Sequence, residues 1–493
     1  MFTTQFLVVK LSQYKKGGKQ MIKKQSEYLL SVKDKVKNLV ALLERDYEYA
    51  SVLATDVGGN SYQWTQRQHA ISPYMFAERG FVARVYGDGG YQEYSFNEIG
   101  DVEQLAKKIV SSLKQQQQLL ADLQVEKYET PLVHEEAICK EFAREDASNI
   151  DDVSREDIMN KLQKCSDEMA KREYVVEAAI AYTNVDINKM YISSKKDLIQ
   201  TYGYSIAQIS MLGFKDGMTN MAYDSLSGFK GVEIIDDIYS KADEIYNNLI
   251  CLFGAENVVP GEYTVICPPS STGIIAHEAF GHGLEMDMFV KDRAVAKYHM
   301  GEKIGSDITD MYDGVDEVDN TASYWFDDEG TIAHTTTIMK GGYLLNGMTD
   351  LLSALRLEVK PSGNGRRETY KRKAYTRMTN TYFGNGTSTL EEMIDSTEYG
   401  FLIDGAQSGM EDPKHWGIQC ILSRAKEIKD GKLTGKVFTP VVLTGYVPDL
   451  LANVSMTGNV PEYGGAGYCG KGYKEWVVVS DGGPYIKTKV RLG

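Results

Sequence analysis

The chain has 493 residues, of which 42% are hydrophobic and 25% are charged, the balance of a soluble globular protein. This length is too great for one compact core, and the net charge of -15 argues against nucleic acid or an anionic membrane as a partner. No apolar run reaches the roughly 18 residues that cross a bilayer. The start of the chain also lacks the charge-then-apolar order of a signal peptide, so we expect a cytoplasmic protein.

The six cysteines contain no C-x-x-C pair and show no regular spacing. In a chain of this length, such a pattern is typical of reduced cytosolic thiols rather than of a disulfide framework. Five of them need only be small buried hydrophobic residues. The sixth, Cys469, differs because it lies in a glycine-rich segment.

Residues 1–20 are predicted to be an extension that is either disordered or mis-started, because apolar residues at helical spacing begin only after Met21. Starts at Met1 and at Met21 both remain open, and so does the role of the acidic stretch at 125–170. The patterns that follow Met21 predict these elements in chain order: a helix over 22–45, a strand at Tyr49–Thr55, a hairpin of Phe81–Tyr86 and Tyr91–Ser95, a helix at Asp101–Gln124, a helix capped by Ser154, strands at Val175–Tyr182 and Lys189–Ser193, and a helix at Ile235–Phe253.

The character of the sequence changes near residue 255, where short strands separated by glycine turns replace the longer helical patterns. The predicted elements are a strand at Tyr263–Cys267, one helix over 272–287, and strands at Ile418–Ile428 and Lys432–Phe438. The sequence therefore predicts an α+β protein. A mixed α/β N-terminal domain covers 21–250, and a β-rich C-terminal domain covers 251–493.

Two of only seven histidines, His277 and His282, lie five residues apart in this helix, with Glu278 beside the first. Neutral imidazole is the commonest protein ligand for zinc. In a regular α-helix these two rings would lie roughly 140° apart around the axis, too far to bind one ion. A π-bulge would restore a common face, so we predict a wide turn or break across 278–282, where Gly281 weakens the helix.

Two other interpretations of this segment stay open. Each histidine can be an ordinary core or surface residue that binds nothing. Alternatively, Glu278 and His282 are four residues apart and Glu285 follows, so the segment also fits a carboxylate-rich site for a harder metal.

Cys469 is the best candidate for a third ligand. Its glycine-rich segment lets the backbone approach another element closely, and the nearby Lys471 favours the thiolate, a strong zinc ligand. A buried cysteine on a turn is the alternative. Two histidines and one cysteine would leave a fourth position for water, as catalytic zinc sites do, and Glu278 would act as general base and acid on that water during peptide hydrolysis.

The segment His277–His282, followed by Glu285, resembles the TldD/PmbA family of modulator-of-gyrase-type zinc metalloproteases. The resemblance is dense over about 255–475 and thin before it. Four further segments match the family in the same order: Asp327–Gly330, Gly363–Arg367, Arg377–Thr381 and Gly467–Lys471.

This resemblance implies one zinc per active chain on His277, His282 and Cys469, with Glu278 as the catalytic residue. It implies a barrel-like C-terminal domain that carries the metal helix, and unfolded proteins or peptides bound as an extended strand as substrates. It also implies a homodimer, or a heterodimer with a TldE/PmbA-like paralogue. Because all four site residues are present, the chain resembles the active TldD-like subunit; the alternative is a non-catalytic, metal-stabilised scaffold that supports a paralogous partner.

Arg377 is a candidate substrate-binding residue, because a guanidinium can hold a carboxylate or a backbone carbonyl with two hydrogen bonds. A structural ion pair is the alternative at this position. For the neighbouring Arg366 and Arg367 we favour the structural role. The sequence does not distinguish an endopeptidase from an exopeptidase.

Overall fold

The computed structural model describes residues 21–125, 128–146, 153–465, 467–472 and 474–493. The predicted extension over 1–20 lies outside the described residues, so its state and the choice between Met1 and Met21 stay predictions. Residues 126–127 and 147–152 of the acidic stretch also lie outside them. No helix in the described ranges is both long and apolar enough to cross a membrane.

In the described residues of its first half, the chain combines five α-helices with strands of very different length. In chain order these elements are β1 (Met21–Ile22), α1 (Glu27–Leu43), β2 (Tyr49–Trp64), β3 (His69–Pro73), β4 (Glu78–Gly87), β5 (Gly90–Phe96), α2 (Val102–Asp122), β6 (Ile138–Ala143), β7 (Glu145–Asp146), α3 (Arg155–Met169), β8 (Val175–Ser193), β9 (Lys196–Lys215), β10 (Met218–Gly228), α4 (Ile234–Tyr239) and α5 (Ala242–Leu252).

Eight of these strands form one sheet in the order β10-β9-β8-β2-β4-β5, with β3 paired to β2 and β6 paired to β9. Apolar residues at helical spacing make α1 amphipathic, and its buried stripe packs with α2 on one part of the sheet. Helices α3, α4 and α5 cover another part. The predicted cap at Ser154 is confirmed, since its side chain accepts a hydrogen bond from the first turn of α3. Asp101 caps α2 in the same way.

Two predictions for this half are wrong in detail. The strands predicted at Val175–Tyr182 and Lys189–Ser193 are one strand, β8, because the polar residues between them have partners; the Asn184 side-chain oxygen accepts a hydrogen bond from the Asn60 amide at 3.3 Å. The helix predicted at Ile235–Phe253 is two helices, α4 and α5, with a break between them.

The second half of the chain has shorter helices and many strands. In chain order these are β11 (Gly261–Cys267), α6 (Pro269–Ala276), α7 (Asp287–Val290), β12 (Met311–Gly314), β13 (Thr336–Lys340), β14 (Tyr343–Leu344), α8 (Leu351–Leu357), β15 (Gly365–Arg366), β16 (Tyr375–Thr376), β17 (Asn380–Phe383), α9 (Leu390–Asp395), β18 (Tyr399–Asp412), β19 (Gly417–Lys429), β20 (Lys432–Phe438), β21 (Val441–Tyr446), α10 (Val447–Ala452), β22 (Met456–Thr457), β23 (Glu462–Gly464), β24 (Tyr468–Lys471), β25 (Lys474–Val478), β26 (Ser480–Gly483) and β27 (Ile486–Leu492).

Five strands close into a barrel, because β11 pairs with β18 on one side and with β27 on the other, through the order β11-β18-β19-β21-β27. A second sheet has the order β14-β13-β12-β17-β26-β23. Helix α6 packs against β18 of the barrel and against β17 and β26 of the second sheet. The fold is therefore α+β with a β-rich, barrel-containing C-terminal part, as predicted. Helix α6, which leads directly to the two histidines, lies between the barrel and the second sheet.

The two halves of the chain meet through buried polar contacts. Arg84 of β4 forms an ion pair with Glu329, and Arg367 forms one with Glu93 of β5. The side-chain amide of Gln200 donates to the Phe326 carbonyl at 2.8 Å. Two of the segments that resemble the family, 327–330 and 363–367, therefore contribute to this contact. The division into domains at residue 250 stays a prediction.

Candidate metal centre

The predicted wide turn is present at the end of α6. The α-helix ends at Ala276, a π-helical turn covers His277–Gly281, and a 3-10 turn covers His282–Leu284. A π-turn holds one more residue than an α-turn, so side chains five apart share a face. The rings of His277 and His282 are accordingly 5.2 Å apart between centroids and perpendicular to each other.

The glycines of this segment are needed for close packing. Gly281 has an ordinary helical φ of -58°, so its lack of a side chain matters more than its backbone freedom. A Cβ atom at Gly281 would lie 2.1 Å from the sulfur of Met378, and one at Gly283 would lie 2.3 Å from Oε1 of Glu411. A side chain at either position would therefore require Met378 or Glu411 to move.

Cys469 comes to the two histidines from the hairpin of β24 and β25. Its Sγ atom is 3.1 Å from Nε2 of His277 and 3.2 Å from Nε2 of His282. The potential ligand atoms of the three residues all lie within 4.8 Å of one another, and Cys469 is buried. The structure thus brings together the three residues that the sequence predicts as metal ligands.

The charges at this cluster favour a thiolate. Burial alone raises the pKa of the Cys469 thiol, but the adjacent imidazoles of His277 and His282 outweigh burial and hold it well below its usual range. Burial lowers the pKa of His282, while the Cys469 thiolate and Glu285 raise it by more. The thiolate is the form of cysteine that binds metals.

The donor set fits a zinc ion. Zinc bonds of about 2.0 Å to nitrogen and 2.3 Å to sulfur in a tetrahedron place nitrogen and sulfur roughly 3.5 Å apart. The two nitrogen-to-sulfur distances, 3.1 and 3.2 Å, are within a few tenths of an ångström of that spacing. Two imidazoles and one thiolate also suit a borderline-soft divalent ion better than magnesium or calcium.

Glu278 lies beside this cluster without joining it. Its side chain is buried under β18, where a Cβ atom at Gly409 would come 2.3 Å from Cγ of Glu278. Within the described part of the chain, its carboxylate has no hydrogen bond or ion pair. A carboxylate held in place by packing, with its oxygens uncommitted, can exchange a proton with a neighbouring molecule.

Glu285, which the sequence also offers as a ligand for a harder metal, faces the side of His282 that points away from Cys469. Its Oε2 atom is 3.3 Å from Nδ1 of His282 and 3.0 Å from the Lys471 ammonium. Burial raises the pKa of Glu285, but Lys471, His282 and Arg377 together hold it well below its usual range. These contacts favour the His/His/Cys set over a carboxylate-rich site.

Arg377 is fully buried, with no surface for a substrate. Its guanidinium contacts Glu285 at 3.1 Å, donates to the Cys469 carbonyl at 2.9 Å and donates to the Glu475 carbonyl. The predicted contact with a substrate would require these bonds to break. The geometry therefore favours the alternative raised from the sequence, a structural ion pair.

Two further carboxylates near the site have no signal in the sequence. Asp481 of β26 lies against α6, and burial raises its pKa to about 6 although His277 acts in the opposite direction. Glu411 of β18 accepts a hydrogen bond from the Gly283 amide at 2.8 Å. Neither residue has a spacing that links it to the histidines, so only the tertiary fold identifies them.

The remaining family-like segments support this region. The buried carboxylate of Asp313 accepts hydrogen bonds from the Asn364 side chain at 2.8 Å and from the Thr379 amide at 2.9 Å. The Thr381 hydroxyl donates to the same carboxylate at 2.8 Å. These bonds join β12, β17 and the 363–367 segment, so that Met378 lies under the π-turn.

The fold and this cluster define a two-part α+β protein with a candidate metal centre of two histidines and one cysteine. The family profile described as PmbA/TldA metallopeptidase C-terminal domain matches residues 260–491. Together with the relatives described next, this match shows that residues 260–491 carry a C-terminal domain of the PmbA/TldD type.

Two relatives and one solved structure illustrate the likeness. A "Metalloprotease" of Methanothermobacter thermautotrophicus is 28% identical over 318 residues, 64% of this chain and 69% of that protein. A "Metalloprotease TldD homolog" of Buchnera aphidicola is 31% identical over 261 residues, 52% of this chain and 53% of that protein. The crystal structure of TldE from Thermococcus kodakarensis matches with a TM-score of 0.72 at 17% identity, covering 93% of this chain and all of that one. This last likeness shows a shared fold.

Proposed function

We propose that the protein is a cytoplasmic, zinc-dependent peptidase in which His277, His282 and Cys469 hold one zinc ion per chain. The observation that carries this proposal is the meeting of three metal-binding side chains beside Glu278, a packed carboxylate without a protein partner among the described residues. A structural zinc site usually has four protein ligands, whereas a catalytic one has three and an open position. The cluster has three.

Zinc bound by these residues would supply a Lewis acid for the peptide carbonyl and a water that ionises near neutral pH. Glu278 takes the proton of the attacking water and passes it to the amine that leaves, as general base and then general acid. The packing of Gly409 against Cγ of Glu278 limits where its carboxylate can lie. His282 is oriented by Glu285, and Cys469 by the contact of its carbonyl with Arg377.

The substrate is proposed to bind as an extended strand along β18. This strand pairs with β11 only over 400–402, whereas it pairs with β19 along its whole length. On the β11 side, residues 404–411 have no partner among the described strands, and Met410 is 69% exposed there. Free backbone groups on a strand edge can pair with an unfolded protein or peptide. Because Gly409 lies on this edge, such a peptide would pass Glu278.

The second candidate function is a non-catalytic subunit that binds metal for stability and supports a paralogous partner. It shares the three metal-binding residues with the first. It gives no reason for an uncommitted carboxylate at Glu278 or for the part of β18 that has no partner among the described strands on its β11 side. These two features favour the peptidase.

We further propose that the protein works as a homodimer or as a heterodimer with a TldE/PmbA-like paralogue. The fold likeness to a protein named TldE supports a relationship to such paralogues. Neither nucleic acid nor a membrane is proposed as a partner, in keeping with the net charge of -15. Size measurement of the protein alone and after co-expression with a paralogue distinguishes the two assemblies.

The proposal is tested with an unfolded substrate and matched variants. Protein loaded with one equivalent of zinc is incubated with a reduced, alkylated protein, alone and with its paralogue, and the fragments are identified by mass spectrometry. We expect cleavage that a chelator abolishes. Glu278→Gln should keep its zinc and lose about 10²-fold or more of the rate, while Glu262→Gln, an exposed control, should not. Full activity in Glu278→Gln, or zinc binding without cleavage in both assemblies, would exclude the peptidase mechanism.

A further inference from the structure

We propose that Glu285, held by Arg377 and Lys471, is a positioning residue that connects the two halves of the metal centre and sets its metal affinity. This inference rests on the proposed function, since it assigns a role to residues around the same site. The two ligand-bearing elements come from distant parts of the chain: His282 follows the π-turn, and Cys469 lies on β24. Glu285 contacts His282 directly and reaches the Cys469 segment through Arg377 and Lys471.

On the helix side, Glu285 determines which nitrogen of His282 is available. Its Oε2 atom lies 3.3 Å from Nδ1, while Nε2 of the same ring points to the Cys469 sulfur. A proton on Nδ1, donated to the carboxylate, leaves the lone pair on Nε2 free for a metal. His277 has no such support, because its Nδ1 atom is buried without a hydrogen-bond partner in the described part of the chain. The orientation by a carboxylate is thus specific to His282.

On the thiol side, Glu285 acts through two cations. Arg377 contacts Oε1 of Glu285 at 3.1 Å and donates from its other nitrogen to the Cys469 carbonyl at 2.9 Å. Lys471, two residues after the cysteine, contacts Oε2 of Glu285 at 3.0 Å and Oδ1 of Asp287 at 2.6 Å. Strand β24 pairs only with β25 among the described strands. The ion pairs therefore attach a two-stranded hairpin, with its thiol, to the metal helix.

A stabilising role alone does not account for these charges. Glu285 is 1% exposed and Arg377 is fully buried. Removing such groups from water costs several kcal/mol per ion, so a buried ion pair often adds little to stability compared with apolar residues of the same volume. The arrangement instead fixes the relative positions of two ligands, because one carboxylate contacts the His282 ring and, through Arg377, the backbone of Cys469.

The test uses metal affinity and a spectrum in addition to activity. Metal-free wild type, Glu285→Gln and Lys471→Met are titrated with zinc against a chromophoric chelator, and their cobalt forms are compared by visible and near-ultraviolet absorption. The matched control is Glu93→Gln, which removes a carboxylate paired with two arginines away from the site. We expect Glu285→Gln to bind zinc about 10- to 100-fold more weakly and to change the cobalt bands. The control should keep the wild-type affinity and spectrum.

Each outcome of this test supports or overturns the positioning role of Glu285. A folded Glu285→Gln with wild-type affinity and spectrum overturns the positioning role and leaves the proposed peptidase intact. If that variant does not fold, Lys471→Met is compared with Asp287→Asn, because the first removes a cation from both carboxylates and the second spares the contact with Glu285. Zinc binding that is weaker in Lys471→Met than in Asp287→Asn supports the role, and equal binding by the two variants overturns it. A wild-type protein that binds no metal overturns the proposed function and this inference together.

Discussion

The sulfur of Cys469 lies 3.2 Å from Nε2 of His282, although the two residues are 187 positions apart in the chain. The preceding residue, Tyr468, donates a hydrogen bond to the hydroxyl of Tyr74 at 3.0 Å. The hairpin that carries the thiol is therefore in contact with the N-terminal half as well as with the metal helix. Metal binding at this point would join the π-turn to a hairpin that also contacts the N-terminal half.

Loss of the thiol should remove the metal. Cys469→Ser replaces a soft thiolate with a hydroxyl that stays protonated at neutral pH, leaving two imidazoles as ligands. We expect zinc, measured by mass spectrometry of the desalted protein, to fall from about one per chain to a small fraction. Cys139→Ser, at an exposed cysteine, is the control and should keep its zinc. Equal zinc in the two variants would contradict the assignment of Cys469.

A single methyl group on β18 should disable Glu278 without affecting the metal. In Gly409→Ala the new Cβ atom would lie 2.3 Å from Cγ of Glu278, so the glutamate must move. We expect zinc content to stay at the wild-type level and the rate of peptide cleavage to fall by about 10²-fold. Gly445→Ala on β21 is the matched control, because a Cβ atom at that position would have no other atom within 4 Å. Unchanged cleavage by Gly409→Ala would show that the position of Glu278 is unimportant.

Replacing Gly281 in the π-turn by alanine should lower the stability of the protein, although alanine normally favours helices. Alanine is a better helix former than glycine, so Gly281→Ala would stabilise the protein if helix propensity decided the outcome. The contact of 2.1 Å with the Met378 sulfur predicts the opposite sign. We expect a loss of about 1–3 kcal/mol in the free energy of unfolding, together with weaker zinc binding. The double variant Gly281→Ala/Met378→Ala should recover part of the zinc affinity; a more stable single variant would refute this packing.

The contact between the two halves of the chain should weaken in acid. Burial raises the pKa of Glu93, but Arg367 and Arg84 outweigh it and hold the pKa well below its usual range. A carboxyl group whose pKa is depressed on folding contributes stability above its unfolded pKa of about 4.3, and that contribution is lost as the pH falls towards the folded value.

Denaturant unfolding at a series of pH values tests this contribution. Glu93→Gln should lower the free energy of unfolding by about 3 kcal/mol at neutral pH, because it leaves two buried arginines without this partner. The difference from wild type should shrink below about pH 4. Glu98→Gln, at an exposed glutamate, should track the wild type throughout. A difference for Glu93→Gln that is independent of pH would contradict the ion pairs.

The sequence was sufficient to predict features that depend only on residues close together in the chain. The five-residue spacing of His277 and His282 requires an extra residue in the turn, and the π-turn is there. Ser154 and Asp101 begin helices because their side chains satisfy free amide groups of the first turn. The meeting of Cys469 with the histidines was predicted as well, from the chemistry of the thiol and from the family resemblance.

The sequence was insufficient where contacts between residues far apart in the chain determine the role of a side chain or the length of a strand. Glu285 looked like a metal ligand from its position in the chain, but Arg377, which is 92 residues away, and the still more distant Lys471 come to it and make it a support for His282. The fully buried Arg377 has no sequence signal that separates an ion pair from substrate binding. Strand β8 continues through polar residues because the tertiary structure supplies their partners.

Anomalous diffraction at the zinc absorption edge tests the central claim most directly, using crystals of the protein loaded with one equivalent of zinc. We predict one strong peak per chain, within about 2.0–2.3 Å of Nε2 of His277, Nε2 of His282 and Sγ of Cys469. A peak bound by Glu278 or Glu285 in place of the cysteine, or no peak near the two histidines, would contradict joint binding by the π-turn and the thiol.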